Sequence, residues 1–229
     1  MSDVPLLLGH RGARVSGTVP ENTCASFDLA LEHGCDGFEF DVRLTAGGEA
    51  VVCHNPRVGG ITVSRASRDQ LARLPRLGEV LQRYGQRTFL DIELKVRDLE
   101  SKTLTALREH LPGFGYVVSS FIPDVVMELE ARSPSVSLGI ICDKRTQLAR
   151  WRKLPIEYVM AHQSLVDRKL VRDVKGAGKK LFVWTVNDKA AMMRLRDWGV
   201  DGIISDRTQL LVHTLGGKGR DRRVGAGNK

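Results

Sequence analysis

Charged side chains follow the first predicted strand in a short glycine-flanked run, Gly9-His10-Arg11-Gly12. The Arg11 guanidinium offers a planar fork for phosphate oxygens, and the His10 imidazole can transfer a proton near neutral pH. Flanking glycines permit a tight turn that lets a ligand approach the backbone. This run alone is equally compatible with a purely structural turn, so its interpretation depends on the other charged residues.

Two acidic residues lie two positions apart inside an apolar segment. In a strand, the side chains of Glu39 and Asp41 point to the same face. The neighbouring Phe38, Phe40 and Val42 indicate burial, where an ionised carboxylate is costly unless it is paired or bound to a metal. A structural ion pair is the alternative interpretation.

A third segment repeats this pattern. Asp91, Glu93 and Lys95 share one face of a predicted strand, and Ile92 and Leu94 share the other. We expect the apolar face to pack against helices and the charged face to point into the interior of a barrel. An internal ion pair between Glu93 and Lys95 is the alternative.

Three carboxylates on these strands suit a cation site. Glu39, Asp41 and Glu93 together form a reasonable oxygen cage for one hard divalent cation, Mg2+ or Ca2+. Lys95 then supplies a compact positive charge for a phosphate group.

A second histidine completes the constellation. His54 follows the apolar run Val51-Val52-Cys53, and alone it would be unremarkable. Two histidines, His10 and His54, at one barrel mouth with a metal cage between them indicate an acid and base pair.

The elements that must position these residues alternate regularly between short β-rich runs and helical periods, bounded by glycine or proline. Strands are predicted at 6–9, 37–42, 50–54, 88–94, 116–120, 136–142, 157–161, 181–185 and 202–205. Helices are predicted at 21–33, 77–84, 99–110, 124–131, 146–152, 167–176, 188–198 and 207–215. Eight strand–helix units favour an α/β fold, a single-domain (β/α)8 TIM barrel over 1–215. A doubly wound open sheet is the alternative, but no Gly-x-Gly-x-x-Gly follows the first strand.

Charge and composition narrow the classes of partner. The chain of 229 residues has a net charge of +8, and the segment 216–229 alone contributes five basic residues and one acidic residue. That segment is predicted to be a disordered, basic, glycine-rich tail. No nucleic-acid partner is expected, because the basic segments lack interleaved aromatic residues, although binding through the tail stays an alternative.

The sequence also bears on location. No apolar stretch is long enough to span a bilayer, and the opening residues read as a first strand and not as a signal peptide. The four cysteines have no Cys-x-x-Cys spacing, which favours structural thiols in a reducing compartment. The expected location is the cytoplasm, and the oligomeric state is left open.

The chain resembles the glycerophosphodiester phosphodiesterases along nearly its whole length. The matching motifs are His10-Arg11-Gly12, Glu21-Asn22-Thr23, the segment from Gly34 through Asp36 to Val42, Thr45, Val51-Val52 with His54, Ile92 to Lys95, Ser119-Ser120-Phe121, Trp184 to Asn187, and Gly199 to Asp206.

The resemblance implies a TIM barrel that hydrolyses glycerophosphodiesters to glycerol 3-phosphate and an alcohol with the help of a metal. It implies these roles: acid and base for His10 and His54, metal ligands for Glu39, Asp41 and Glu93, phosphate contacts for Arg11 and Lys95, and a mouth-lining aromatic for Trp184. A core position is the alternative for Trp184. The nucleophile is either water or the glycerol 2-hydroxyl.

Two features depart from the family pattern. The family usually has His-Asp and Asp-Gly where this chain has His54-Asn55 and Gly47-Gly48. The segment 55–76, which forms a small cap in the family, is short here. We therefore expect a more open mouth that tolerates varied alcohol groups.

Three other functions stay open. One is a lysophospholipase D-like enzyme of the same barrel lineage, another is an enzyme of that lineage that forms a cyclic phosphate, and the third is a non-catalytic barrel that binds phosphate esters. The presence of both histidines and all three carboxylates disfavours the last.

Overall fold

The computed structural model describes residues 4–14 and 18–216, along which strands and helices alternate. The strands are β1 (Leu6–His10), β2 (Gly37–Leu44), β3 (Ala50–Val52), β4 (Arg57–Val58), β5 (Ile61–Thr62), β6 (Phe89–Leu94), β7 (Tyr116–Ser120), β8 (Leu138–Cys142), β9 (Tyr158–His162), β10 (Lys180–Trp184) and β11 (Gly202–Ser205). The helices are α1 (Cys24–Glu32), α2 (Leu77–Tyr84), α3 (Glu100–Glu109), α4 (Pro123–Arg132), α5 (Arg145–Leu148), α6 (Arg168–Gly176), α7 (Lys189–Trp198) and α8 (Thr208–Leu215).

Within these described ranges, eight parallel strands close into a barrel in the order β1-β2-β6-β7-β8-β9-β10-β11. Closure is made by β1, which pairs with β2 on one side and with β11 on the other. The predicted TIM barrel is confirmed, and the open doubly wound sheet is not formed. Strand β3 is the antiparallel partner of β2 and not a continuation of it.

The strands of the barrel divide their side chains between two cores. Outward-facing residues, such as Ile92 and Leu94 of β6, belong to the main apolar cluster that includes buried residues of the surrounding helices. Phe27 of α1 stacks on Phe38 of β2 with ring centroids 4.2 Å apart. The expectation that the apolar face of β6 packs against helices is confirmed.

Aromatic side chains fill the lower part of the barrel interior. The ring of Phe182 lies 5.7 Å from that of Phe89 and 5.1 Å from that of Tyr158. These three rings form an aromatic plug inside the barrel. Gly202 makes room for it, since a Cβ added there would lie 2.6 Å from the Phe182 ring. Above these rings, a cavity lies towards the carboxyl ends of the strands, the end at which TIM barrels carry their sites.

The first helix begins later than predicted. Asn22 adopts a left-handed conformation with φ of +58°, which breaks the helix predicted over 21–33. Thr23 then caps α1 reciprocally with Ser26, and the Asn22 side chain is committed to Asp41. The predicted helix 146–152 is likewise split into α5 and a 3-10 turn at Trp151–Lys153.

The segment 55–76 contains a short hairpin, formed by β4 and β5, and two 3-10 turns. The sequence did not reveal these elements. The segment is anchored beside β2 and β3, where the Val52 N–H donates to the Pro75 carbonyl and the Ala46 N–H to the Ala66 carbonyl. Its apolar side chains form a small separate cluster with Val51 and Cys53.

Two sequence expectations concern the periphery of the chain. Among the described residues, no helix has both the length and the apolar character needed to cross a bilayer. The predicted disordered tail, 216–229, lies outside the described residues except for Gly216.

The close approach of β2 and β6 yields a testable prediction. A Cβ added at Gly37 would lie 1.9 Å from the Phe89 carbonyl oxygen, so Gly37→Ala must separate the two strands. We expect a loss of at least about 1–3 kcal/mol in the free energy of unfolding, measured by urea denaturation. Gly78→Ala in α2 is the control, because a Cβ there meets no atom within 4 Å. It should raise stability by about 0.5–1 kcal/mol. Equal effects of the two substitutions would contradict this packing.

Candidate active site

The carboxyl ends of the strands surround a cavity of about 200 Å³. Its lining includes seven of the eight predicted site residues: His10, Arg11, Glu39, His54, Glu93, Lys95 and Trp184. The eighth, Asp41, lies directly behind this wall and contacts both Arg11 and Lys95. The structure therefore brings the whole predicted constellation together. Of the described residues that line the cavity, none comes from 55–76.

Three carboxylates converge at one side of the cavity. Register pairing places Asp41 of β2 beside Glu93 of β6, and Glu39 lies one inward position earlier on β2. One carboxylate oxygen from each residue lies within 4.8 Å of the other two. The residues Glu39, Asp41 and Glu93 are only 4%, 1% and 7% exposed. Such a group repels itself unless positive charge is close.

The protonation of these carboxylates reflects that repulsion. Burial, reinforced by Asp41, raises the pKa of Glu39 well above its usual value and that of Glu93 to about 7. Burial would also raise the pKa of Asp41, but the charges of Lys95 and Arg11 hold it below the usual value. Asp41 is therefore the member of the cluster that stays ionised most readily.

Two positively charged side chains compensate part of the negative charge of the carboxylates. The Lys95 ammonium lies 2.5 Å from Glu93 Oε1 and 3.2 Å from Asp41 Oδ1. The Arg11 guanidinium donates to Glu21 Oε1 at 2.9 Å, and its Nε lies 3.3 Å from Asp41 Oδ2. Although burial alone would lower the pKa values of Arg11 and Lys95, the surrounding carboxylates raise both. Both side chains therefore carry a fixed positive charge at the cavity wall.

His10 is held by a carboxylate that the sequence analysis did not single out. Its Nδ1 lies 2.8 Å from Asp206 Oδ1, and its Nε2 lies 3.9 Å from Glu39 Oε2. Burial alone would raise the pKa of Asp206, but hydrogen bonds from His10 and Asn187 lower it, so the carboxylate is ionised. An ionised carboxylate only accepts hydrogen bonds, so the proton of the imidazole resides on Nδ1.

His54 occupies a different environment on the cavity wall. Burial lowers its pKa, against the opposing effects of a hydrogen bond to Asn55 and the charge of Asp41. Its backbone carbonyl accepts a 2.7 Å hydrogen bond from Arg43 Nε, which fixes the chain just after β3. The imidazole is therefore neutral at pH 7.

The opposite wall of the cavity is apolar. Trp184 at the end of β10 packs edge to face against Phe121, with ring centroids 5.5 Å apart. The Trp184 indole donates to the Met160 carbonyl at 3.1 Å, which fixes the ring at the mouth. Ile141 and Ile204 complete this wall. The cavity thus has one charged half and one apolar half.

Sequence reasoning assigned no site role to several polar residues around this cavity. Asp91 lines it and accepts a 2.7 Å hydrogen bond from Ser119, and burial raises the pKa of this carboxyl to about 8. Asn22 donates to Asp41 from the loop before α1. Glu21 and Asp206 bind Arg11 and His10. Asp206 directly follows β11, just as His10 directly follows the first predicted strand, 6–9, so the same signal could have identified it.

Comparisons with known proteins show which family the chain is similar to. The sequence model of the glycerophosphoryl diester phosphodiesterase family matches residues 10–114 and 79–210. A glycerophosphodiester phosphodiesterase of Caldanaerobacter subterraneus subsp. tengcongensis is 31% identical, over 92% of this chain and 97% of the relative.

Solved structures show the same fold. A glycerophosphodiester phosphodiesterase of Thermotoga maritima matches with a TM-score of 0.79 and 26% identity, over 91% of this chain and 97% of that one. An Oleispira antarctica phosphodiesterase, solved in complex with the product sn-glycerol-3-phosphate, matches with a TM-score of 0.82 and 27% identity, over 93% and 98%. With a family match that spans most of the chain, this protein belongs to the glycerophosphodiester phosphodiesterase family.

Proposed function

We propose that this protein hydrolyses glycerophosphodiesters to glycerol 3-phosphate and an alcohol in this cavity, with one divalent cation as cofactor. The observation that carries the proposal is the joint placement of His10, His54, Glu39 and Glu93 in the cavity lining, with Asp41 directly behind them. Family membership supports it, as does the relative from Oleispira antarctica that was solved with sn-glycerol-3-phosphate.

The carboxylates fit a hard cation. Within the described residues, Glu39 Oε1 is buried without a hydrogen-bond partner, whereas the buried Asp41 Oδ1 and Glu93 Oε1 have the Lys95 ammonium as their ion-pair partner. Glu39, Asp41 and Glu93 offer only oxygen ligands, which suits Mg2+ or Ca2+ better than a metal that prefers thiolates. When bound, such a cation stabilises negative charge on phosphate oxygens.

Arg11 and Lys95 extend this positive surface. Both line the cavity beside the carboxylates, and both keep their charge at neutral pH. A phosphodiester that enters the cavity gains favourable charge interactions with the guanidinium and the ammonium. These interactions strengthen as charge develops on the equatorial oxygens during phosphoryl transfer.

The two histidines divide the proton transfers. His54, neutral because its pKa is lowered, accepts the proton of the nucleophile. His10, whose Nδ1–H is held by the Asp206 carboxylate, acts as the acid in its doubly protonated form: its second proton, on Nε2, passes to the leaving alkoxide and leaves the neutral Nδ1–H imidazole. The carboxylate fixes the Nδ1 proton and the orientation of the imidazole, as the Asp of a catalytic triad does for its histidine. Water and the glycerol 2-hydroxyl both satisfy the nucleophile's role.

The apolar half of the cavity favours a second candidate. Phe121, Trp184 and their aliphatic neighbours offer a surface suited to the acyl chain of a lysophospholipid. A lysophospholipase D-like activity would use that surface with the same charged half.

A coupled assay for released glycerol 3-phosphate tests the proposal. The substrates are glycerophosphodiesters with choline, ethanolamine and glycerol as leaving alcohols, and a lysophospholipid is assayed separately for its released alcohol. We expect glycerol 3-phosphate from at least one glycerophosphodiester, and loss of turnover in excess chelator with recovery on adding Mg2+ or Ca2+. Full activity in chelator would contradict the cation's role. Release from the lysophospholipid alone would favour the second candidate.

Removal of either histidine should abolish most turnover. His10→Ala and His54→Ala are each expected to lower kcat by about 10²–10⁴-fold, the usual contribution of one acid or base. His213→Ala is the matched control, since His213 is exposed on α8. All three variants should melt close to the parent temperature. A His10 or His54 variant with parental kcat would remove that histidine from the mechanism.

Cation binding should stabilise the fold and should weaken in acid. A cation at 100 times its Kd contributes about 2.7 kcal/mol, which corresponds to about 5–10 °C in Tm for a chain of this size. Because the pKa of Glu93 is about 7, protons compete for this ligand below that pH. The Tm increase with Mg2+ or Ca2+ should therefore be larger at pH 8 than at pH 6.

Two Glu→Gln variants, which remove the same charge at different places, test whether Glu93 holds the cation. Glu93→Gln should diminish the Tm increase and the activity together, because it removes one anionic ligand at nearly constant shape. Glu128→Gln, on the exposed surface of α4, should leave both unchanged. A full Tm response in Glu93→Gln would exclude this carboxylate from the cation site.

A further inference from the structure

We infer that Arg14 is a positioning residue that holds the acid His10 and the phosphate-binding Arg11 in a fixed relation, an inference that rests on the proposed function. Arg14 is not among the residues that line the cavity. Its guanidinium reaches two carboxylates, Glu21 and Asp206, each of which contacts one of those functional side chains.

The contacts form a chain of alternating charge. Arg14 Nη1 donates to Glu21 Oε2 at 2.8 Å, and Glu21 Oε1 accepts from Arg11 Nη1 at 2.9 Å. The other terminal nitrogen, Nη2, donates to Asp206 Oδ1, the same oxygen that accepts from His10 Nδ1. Because His10 and Arg11 are consecutive in sequence, the chain of side-chain contacts closes into a ring through their backbone.

The ring is only partly open to solvent. The Arg14 side chain is 38% exposed, and those of Glu21 and Asp206 are 27% and 25% exposed. Charge interactions at this depth are screened less than those on a fully exposed surface, and several pairs act together as a network. Asp206 is further held by Asn187 Nδ2 at 2.8 Å, so the ring is anchored to the end of β11.

An arginine suits this role because its group is planar and its terminal nitrogens are rigidly spaced. Nη1 and Nη2 bind different carboxylates, so one guanidinium sets the distance between Glu21 and Asp206. A lysine ammonium at this position would keep the charge but would lack the fixed fork. The consequence for catalysis is orientation: displacement of a reacting group by about 1 Å can cost on the order of 10²-fold in rate.

The first test separates positioning from direct substrate binding. Steady-state kinetics are measured on the full chain for the parent, Arg14→Ala, Arg14→Lys and the control Arg132→Ala, whose arginine forms a similarly exposed ion pair on α4. We expect Arg14→Ala to lower kcat by about 10-fold or more with little change in KM. Arg14→Lys should recover part of that loss, and Arg132→Ala should match the parent. A rise in KM with parental kcat would overturn the inference, because it would make Arg14 a substrate contact.

A double-mutant cycle tests the route of the effect. If Arg14 acts through Asp206, the loss caused by Arg14→Ala should be smaller in an Asp206→Asn background than in the parent. If the fold-losses in kcat from the two single variants simply multiply in the double variant, Arg14 does not act through Asp206.

The last readout does not depend on turnover. The proton between His10 Nδ1 and the Asp206 carboxylate should give a slowly exchanging NMR resonance, identified by its absence in His10→Ala. We expect it to persist in Arg132→Ala and to broaden or vanish in Arg14→Ala, since Asp206 loses one of its anchors. An unchanged resonance together with parental kcat in Arg14→Ala would overturn the inference. If the parent hydrolysed no diester but Arg14→Ala still lost the resonance, the proposed function would fail and the positioning role would stand.

Discussion

The mutual repulsion of three buried carboxylates is the constraint on which the mouth of this barrel depends. Glu39, Asp41 and Glu93 lie within a few ångströms of one another in a site from which water is largely excluded. Their charge is tolerable only because Arg11 and Lys95 approach it directly. In the proposed function, a cation completes this compensation. Under that proposal, the polar mouth is an arrangement unfavourable for folding that is retained for what it binds.

The rest of the fold offsets that cost by separating apolar from charged layers. Phe38 and Phe40 alternate with Glu39 and Asp41 along β2, so the strand that carries two site carboxylates also contributes two rings to the outer core. Below the site, the aromatic plug around Phe182 leaves no space for the strands to collapse inwards. The carboxylates therefore project from strands that are packed on both faces, which gives them little freedom to move apart.

Features that follow from the periodicity of side chains along a strand or helix could be predicted from the sequence. Features that depend on side-chain contacts between residues far apart in the sequence could not. The two-residue period of a strand was enough to place Glu39, Asp41 and Glu93 on inward faces. No period connects His10 with Asp206, which are 196 residues apart. The late start of α1 was missed for the same reason, because the left-handed Asn22 is held by a side-chain contact with Asp41. The hairpin of β4 and β5 escaped notice because each strand has only two residues.

The turn after β1 shows how the site and the fold depend on each other. Arg11 has φ of +56°, a left-handed conformation that costs energy for a residue with a side chain. Its N–H donates to Glu39 Oε2 at 2.9 Å, and its carbonyl accepts from the Asn22 N–H and the Ser26 hydroxyl at 3.0 Å. Gly12 must follow, because a Cβ there would lie 2.5 Å from the Ser26 hydroxyl oxygen.

Glu39 thus stabilises the strained turn with one oxygen while its other oxygen faces the carboxylate cluster without a hydrogen bond. The same turn orients His10 and Arg11, the proposed acid and the proposed phosphate contact, so their presentation depends on a proposed cation ligand. Protonation or displacement of Glu39 would therefore weaken the cation site and the turn together. This shared residue couples the charge balance of the cluster to the geometry of the proposed proton donor, His10.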